Sequence, residues 1–347
     1  MAVTTLACAG DVMIHRPDER TMLRHVAGIL RDADIAYCNQ EGPICEEGER
    51  HAGKAGSTVA HHRSTIGTAA ALADAGIDMV SLPNNHTLDY GVSGLHQTMR
   101  ALDAAGIVYS GAGDDLPAAR KAAVLTTNGL RVALLSYTSV CVPSFAATKE
   151  SPGVAMVKVK TTYEVNLRLF QQPGSPIIIR TSGEPDDVAM VVEDIKAARA
   201  SADIVLVAWH WGISERWGKL ADYQQQLGRV AIDAGAHAVL GHHAHMLGGV
   251  EFYHGRPIFY CLGNFAFDSD HYFFRRESMI ALCDLTPDGI SRVRIVPLVV
   301  NDAHEPVPVS MRKEGQKVAW LLEYFSEGMN TELVYHDDSI ELKPKTN

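Results

Sequence analysis

Five apolar runs in this 347-residue chain each end at side chains that bind metals well, and that recurrence constrains the fold more than any single motif. Val3 to Ala9 runs into Gly10-Asp11, Asp34 to Asn39 into Gln40-Glu41, and Ile77 to Leu82 into Pro83-Asn-Asn85-His86. Ile204 to Ala208 runs into Trp209-His210, and Ala236 to Leu240 into Gly241-His-His-Ala-His245. Short apolar runs bounded by polar residues read as buried strands. In open α/β sheets the ligand crevice lies beyond the carboxyl ends of the strands. Chance would scatter carboxylates and imidazoles over helix faces and loops as well. His243 and His245 are two apart, so extended backbone sends both side chains to one face.

Helical spacing fills the gaps between these strands. It covers Asp18 to Arg31, Thr65 to Ala75, Gly91 to Ala105, Leu116 to Lys121, Pro185 to Ser201, Leu220 to Ala234 and Val318 to Phe325. Ile107 to Tyr109 is a short strand. Hairpins are predicted for 122–126 with 131–137 around Asn128-Gly129, and for 250–253 with 257–261 about His254-Gly255. Met279 to Leu285 and Ser291 to Val299 make a last pair. Strands alternating with helices and followed by hairpins predict an α/β protein with a mixed sheet or two stacked sheets. The polar stretch 42–63 reads as a functional loop and 138–176 as an irregular insertion. One domain is expected over 1–300, with 301–347 an extension packed on it or partly tail.

A content of 46% hydrophobic residues suffices for a large core. The net charge of −10 argues against nucleic acid or an anionic membrane as partner. It leaves room for a small or oligomeric anionic substrate, because a bound dication reverses the local field. Six scattered cysteines without a C-x-x-C pair read as reduced core thiols. No window approaches 18 apolar residues and no basic leader opens the chain, so a cytoplasmic protein without a membrane anchor is expected.

The residue types at the strand ends suit a pair of divalent ions. Asp11 or Glu41 can bridge two metals, while Asn85, His210, His243 and His245 complete the shells without adding charge. His86 is placed beside them as an acid or oxyanion stabiliser. Lys54, His62 and Arg63 of the early loop are candidate contacts for an anionic substrate. His242 is assigned to structure or substrate contact, and Asn264 to the same group as a brace of the site. Asp89 and Tyr90 are expected to cap the following helix.

Six segments together resemble a known family: Gly10-Asp-Val-Met13, Asn39-Gln-Glu-Gly-Pro43, Asn84-Asn-His-Thr-Leu-Asp-Tyr-Gly91, His210-Trp-Gly212, Gly241-His-His-Ala-His245 and Tyr260-Cys-Leu-Gly-Asn-Phe265. They are similar to those of the PGA_cap (CapA-like) family, associated with poly-γ-glutamate capsule synthesis, over roughly residues 3–268 and in the right order. The resemblance implies the fold of the calcineurin-like metallophosphoesterases, a four-layer αββα sandwich of two stacked mixed sheets. It implies Asp11 and Glu41 as metal-binding carboxylates, Asn85, His210, His243 and His245 as further ligands, and His86 as the acid or charge stabiliser. One departure stands out: Met13 occupies the position of a His in the wider superfamily's first block, leaving His15 or additional water to complete that shell.

The expected function is a hydrolase dependent on two divalent ions (Mn2+, Fe2+ or Zn2+), in which a metal-bound hydroxide attacks a γ-glutamyl or other peptide-like amide. The motif blocks lack the run of Arg that would clamp a phosphate. Phosphoester hydrolysis at the same site is the first alternative. The second is a non-catalytic polyglutamate-binding or capsule-assembly protein.

Overall fold

The computed structural model describes residues 3–54, 61–165, 168, 171–214, 217–269 and 275–346. Residues 55–60 of the early polar loop and 166, 167, 169 and 170 of the insertion lie outside them. Alternation along the first strand, Thr4–Met13, sorts its side chains between two cores. Leu6 and Cys8 meet Leu206, Ala208 and Leu240 of a second sheet, whereas Ala7 and Ala9 meet Leu72, Leu95 and Leu102 of helices. Ile204–His210 repeats the pattern in the second sheet. Leu206 and Ala208 face the first sheet, while Val205, Val207 and Trp209 pack on Val191, Ile195 and Leu227. Helices Thr68–Ala75 and Gly91–Ala105 thus cover one outer face, and Pro185–Ser201 with Asp222–Ala234 the other. The result is the four-layer αββα sandwich.

The first sheet runs Thr331–Tyr335, Ile340–Pro344, Gly289–Val300, Glu277–Thr286, Thr4–Met13, Ile35–Gln40, Met79–Ser81, Val108–Ser110. Asn264–Phe267 lies beside the end of Thr4–Met13, and Pro306–Pro308 beside Gly289–Val300. The second runs Val250–Tyr253, Arg256–Phe259, Ala238–His242, Ile204–His210, Leu130–Thr138, Ala123–Thr127. Thr4–Met13, Ile35–Gln40, Met79–Ser81 and Val108–Ser110 are parallel, as are Leu130–Thr138, Ile204–His210 and Ala238–His242. Parallel neighbours with crossover connections put all their carboxyl ends on one side. Every strand-end candidate therefore arrives at one edge of the sandwich.

Some elements differ from expectation. Asp18 to Arg31 is not one helix but a 3₁₀ turn, Glu19–Leu23, followed by the short helix Ala27–Arg31. Its amides bond three residues back, Arg24 to Thr21 and Val26 to Leu23, and Asp18 offers no side-chain cap. Met22, Leu23, Val26 and Leu30 are still buried, so their spacing reported burial correctly and helix type wrongly. Within 138–176, Val159–Glu164 pairs antiparallel with Ile178–Gly183. That ribbon is mostly exposed and polar, so it carries no period-two apolar signal. Past residue 300, Gly315–Phe325 buries Val318, Leu321 and Leu322 in the core between the sheets, and Thr331–Tyr335 with Ile340–Pro344 extends the first sheet. All six cysteines are free thiols. Among the described residues no helix is long and apolar enough to cross a membrane.

Two glycines let the sheets close on each other beside the candidate residues. The Asp11 amide donates to the Gly263 carbonyl at 2.9 Å, and the Leu262 amide to the Gly241 carbonyl at 2.9 Å, so one segment knits the two strands together. A Cβ on Gly10 would stand 1.9 Å from the Gly263 oxygen, and one on Gly241 2.2 Å from the Tyr260 oxygen. Both obstacles are backbone and cannot swing away. Gly241→Ala is expected to lower stability by about 1–3 kcal/mol in urea or thermal unfolding. Gly28→Ala, whose Cβ would meet nothing, is expected to be neutral or to stabilise by up to about 1 kcal/mol. Equal stability of the two variants would contradict the close approach.

Candidate metal centre

Register delivers the first residues. Asp11 on Thr4–Met13 lies opposite Asn39 on Ile35–Gln40, and Asn39 lies opposite Ser81 on Met79–Ser81. Across the gap, His210 on Ile204–His210 lies opposite His242 on Ala238–His242. Asp11, Glu41 and His210 are fully or almost fully buried and bring one ligand atom each within 4.8 Å of one another.

Glu41 is the most unusual of these. Neither carboxylate oxygen has a hydrogen-bond partner, although both are buried. Its Oε1 lies 3.5 Å from His245 Nε2 and 3.9 Å from His86 Nε2. Burial, reinforced by the charge of Asp11, pushes the Glu41 carboxyl well above its ordinary range, with Lys54 pulling the other way. Burial would raise Asp11 as well, but His242, His245 and the His243 amide outweigh it and hold that carboxyl low.

The imidazoles converge around this pair. His210 Nε2 is 2.8 Å from Asn85 Oδ1 and 3.1 Å from His243 Nδ1. His245 Nδ1 is 2.8 Å from Asn264 Oδ1, which leaves Nε2 on the Glu41 side. Burial pushes His243 down to about 3 and His210 well below its ordinary value, so both are neutral and each ring has one nitrogen lone pair. Asn84, the neighbour of Asn85, spends its amide on the carbonyls of Gln40 and Leu82 and its oxygen on the His86 amide.

His243 and His245 do not converge by strand alternation as expected. The strand stops at His242, and the two hold positive φ values of 93° and 54°. Such backbone is sparsely populated by residues with a Cβ, and it clusters where function demands it. The loop, not the pleat, aims these rings.

His86 stands at the edge of the cluster in a buried trio. Its Nδ1 is 2.6 Å from Asp89 Oδ2 and 3.1 Å from Lys54 Nζ, and Lys54 also ion-pairs with Asp89 Oδ1. Burial pushes His86 down to about 3 against the pull of Asp89. Asp89 therefore does not cap the next helix. That helix, Gly91–Ala105, starts after Tyr90 with no side-chain cap, and Asp89 instead binds Lys54, His86 and the His62 amide.

The early-loop candidates part company. His62 stacks edge-on against His86 at 4.4 Å between ring centres. Lys54 is buried and committed to Asp89. Arg63 spends its guanidinium on the Glu46 carbonyl and the Tyr90 ring. His242 is wholly buried, with Nε2 2.8 Å from the Tyr37 hydroxyl and Nδ1 2.8 Å from Asp11 Oδ1, out of line for a hydrogen bond. A substrate cannot reach it, so of its two expected roles the structural one fits. Met13 is buried at the strand end, while His15 is exposed and its amide bonds Asp268. His15 does not join the buried cluster. Sequence reasoning missed Tyr37, Asn39 and Ser81. The signal present was their polarity inside apolar runs on adjacent strands.

A Bacillus anthracis protein named capsule biosynthesis protein CapA is 29% identical over 322 residues, 90% of this chain and 71% of that one. PGA biosynthesis protein CapA of Bacillus subtilis (strain 168) is 29% identical over 337 residues, 94% of this chain and 79% of that one. A probable polyglutamine synthesis accessory protein of Mycobacterium tuberculosis is 33% identical over 237 residues, 64% and 55% of the two chains. Among solved structures, the calcineurin-like phosphoesterase YfkN of Bacillus subtilis is similar with a TM-score of 0.46 and 11% identity, over 93% of this chain and 98% of that one. The sequence model of the bacterial capsule synthesis protein family PGA_cap matches residues 5–269, and the chain belongs to that family.

Proposed function

We propose that the chain is a hydrolase that uses two divalent cations to cleave an amide bond in a glutamyl substrate carrying carboxylates. The observation that supports this most is Glu41. A carboxylate with two unpartnered oxygens, closed from water beside a second carboxylate, is costly unless a cation meets it. Neutral imidazoles and an amide oxygen around it make a donor set that suits Mn2+, Fe2+ or Zn2+. Asp11, Glu41, Asn85, His210, His243 and His245 would hold the cations. When bound, such a pair supplies Lewis acidity and a water of lowered pKa.

The chain's own part in the chemistry is proton handling and positioning. Asp89, ionised, accepts the Nδ1 proton of His86, which leaves the Nε2 lone pair on the Glu41 side. His86 can then take a proton from an attacking water at Nε2 and return it to the leaving nitrogen, with Asp89 steadying the transient charge. Asn264 fixes the tautomer of His245 in the manner of an outer-shell partner.

The substrate class rests on charge and on the relatives' names. Lys54 and Arg63 are already engaged, which leaves no multiple-cation clamp for a phosphoryl group among these candidates. Arg275, whose amide bonds the His245 carbonyl, stacks on Trp217 and meets no carboxylate among the described residues. One guanidinium suits one carboxylate. The relatives are named for capsule and PGA biosynthesis and for polyglutamine synthesis, which favours a glutamyl amide over a phosphoester. A non-catalytic role in handling polyglutamate is the second reading, favoured by Met13 in place of a ligand and by the exposure of His15.

Purified protein loaded with Mn2+ is expected to carry close to two metals per chain and to hydrolyse γ-glutamyl anilides faster than aryl phosphates. His243→Ala should remove at least about 99% of that turnover, the scale on which loss of a metal-site group acts. Less than one metal per chain with no turnover of either class would overturn the enzyme reading in favour of the second. Glu41→Gln separates site from scaffold. It removes a buried carboxyl whose ionised form burial penalises, so the metal-free protein should unfold at a higher temperature than wild type while losing metal binding. A lower unfolding temperature without metal would show that Glu41 is compensated within the chain.

A further inference from the structure

Five buried polar side chains close a ring behind the candidate centre, and the proposed chemistry uses only one of them. Asn39 Nδ2 donates to Asp11 Oδ1 at 2.9 Å. The Ser81 hydroxyl donates to Asn39 Oδ1 at 2.7 Å. Tyr37 Oη lies 2.8 Å from Ser81 Oγ and 2.8 Å from His242 Nε2. His242 Nδ1 comes back to within 2.8 Å of Asp11 Oδ1, a contact out of line for a hydrogen bond. Asp11, Tyr37, Asn39 and His242 have no exposed surface, and Ser81 has 2%.

The ring draws on three adjacent strands of the first sheet and one of the second. Asp11, Asn39 and Ser81 form one register row, Tyr37 precedes Asn39 by two and so shares its face, and His242 reaches across from Ala238–His242. Ser81 has a single proton, already given to Asn39, so Tyr37 must donate to Ser81 and accept from His242 Nε2. This accounting leaves Tyr37 no alternative orientation. The hydrogen bonds from Asp11 through Asn39, Ser81 and Tyr37 to His242 are thereby all assigned, and a buried chain of this kind specifies one geometry.

The consequence falls on Asp11. Its Oδ1 is engaged by Asn39 and faced by His242. Among the described residues its Oδ2 accepts from the His243 amide alone, at 3.3 Å, and lies 3.9 Å from His245 Nδ1. The carboxylate is thus held with one oxygen in the ring and the other toward the histidine loop. We infer that Tyr37 and Ser81 are positioning residues for the cation site, acting on Asp11 through Asn39 on one side and His242 on the other, so that Oδ2 is the oxygen presented to a divalent ion. The inference rests on the reading above that Asp11 is a ligand. It gives the buried Tyr37 hydroxyl a role at a distance from any substrate.

The test is Mn2+ binding to chelator-stripped protein, followed by calorimetry and by the electron paramagnetic resonance line shape of the bound ion. Tyr37→Phe and Ser81→Ala are each expected to weaken Mn2+ binding by about 10–100-fold and to alter the line shape. Tyr137→Phe is the control for loss of a buried hydroxyl. Tyr137 is as deeply buried and bonds Asp194 at 2.9 Å, outside the ring, so its variant should bind Mn2+ within about two-fold of wild type. Ser81→Ala serves alone if Tyr37→Phe fails to fold. Wild-type affinity and line shape in both variants would overturn this inference and leave the cation reading standing. Wild-type protein that binds no Mn2+ would overturn both.

Discussion

Two carboxylates are buried side by side at the edge of this sandwich, and much of the surrounding structure makes sense as a response to them. Asp11 and Glu41 repel each other, and burial penalises the charge on both. Asp11 is answered from within the chain, by Asn39, His242 and the His243 amide. Glu41 has no hydrogen-bond partner for either oxygen. The asymmetry divides the site into a carboxylate that the chain's own hydrogen bonds engage and one that they do not.

The fold reaches this arrangement by repetition. Parallel strands with crossover helices bring their carboxyl ends to one edge, so polar residues that are distant in sequence fall into one row. Glycine at positions 10 and 241 then removes the side chains that would hold the Thr4–Met13 and Ala238–His242 strands away from the segment between them. Positive φ at His243 and His245 turns the loop back toward the row. Rigid strands supply Asp11, Asn39 and His210, and a loop with positive φ supplies His243 and His245.

How much of this was legible in the sequence depended on which physical signal each part carries. Asp11, Glu41, Asn85, His210, His243 and His245 were singled out because each follows a strongly apolar run, and the structure gathers them at one edge, all buried except the half-buried Asn85. The four layers followed from the family resemblance, while alternation and helical spacing alone left one mixed sheet or two open. Asp89 was misread as a helix cap because its partners, Lys54 and His86, meet it through tertiary contact rather than through a local pattern. Tyr37 and Ser81 looked like ordinary strand residues, since a register row is invisible until strand order is known. The Val159–Glu164 ribbon escaped because an exposed polar strand has no apolar period.

The central claim is that the buried carboxylates and imidazoles form one site for a pair of divalent ions. Anomalous X-ray diffraction from Mn2+-loaded crystals tests it most directly. The account predicts two anomalous peaks about 3.5–4 Å apart, bounded by Asp11, Glu41, Asn85, His210, His243 and His245. No peak at Glu41, or an Asp11 carboxylate turned away from any ion, would contradict it.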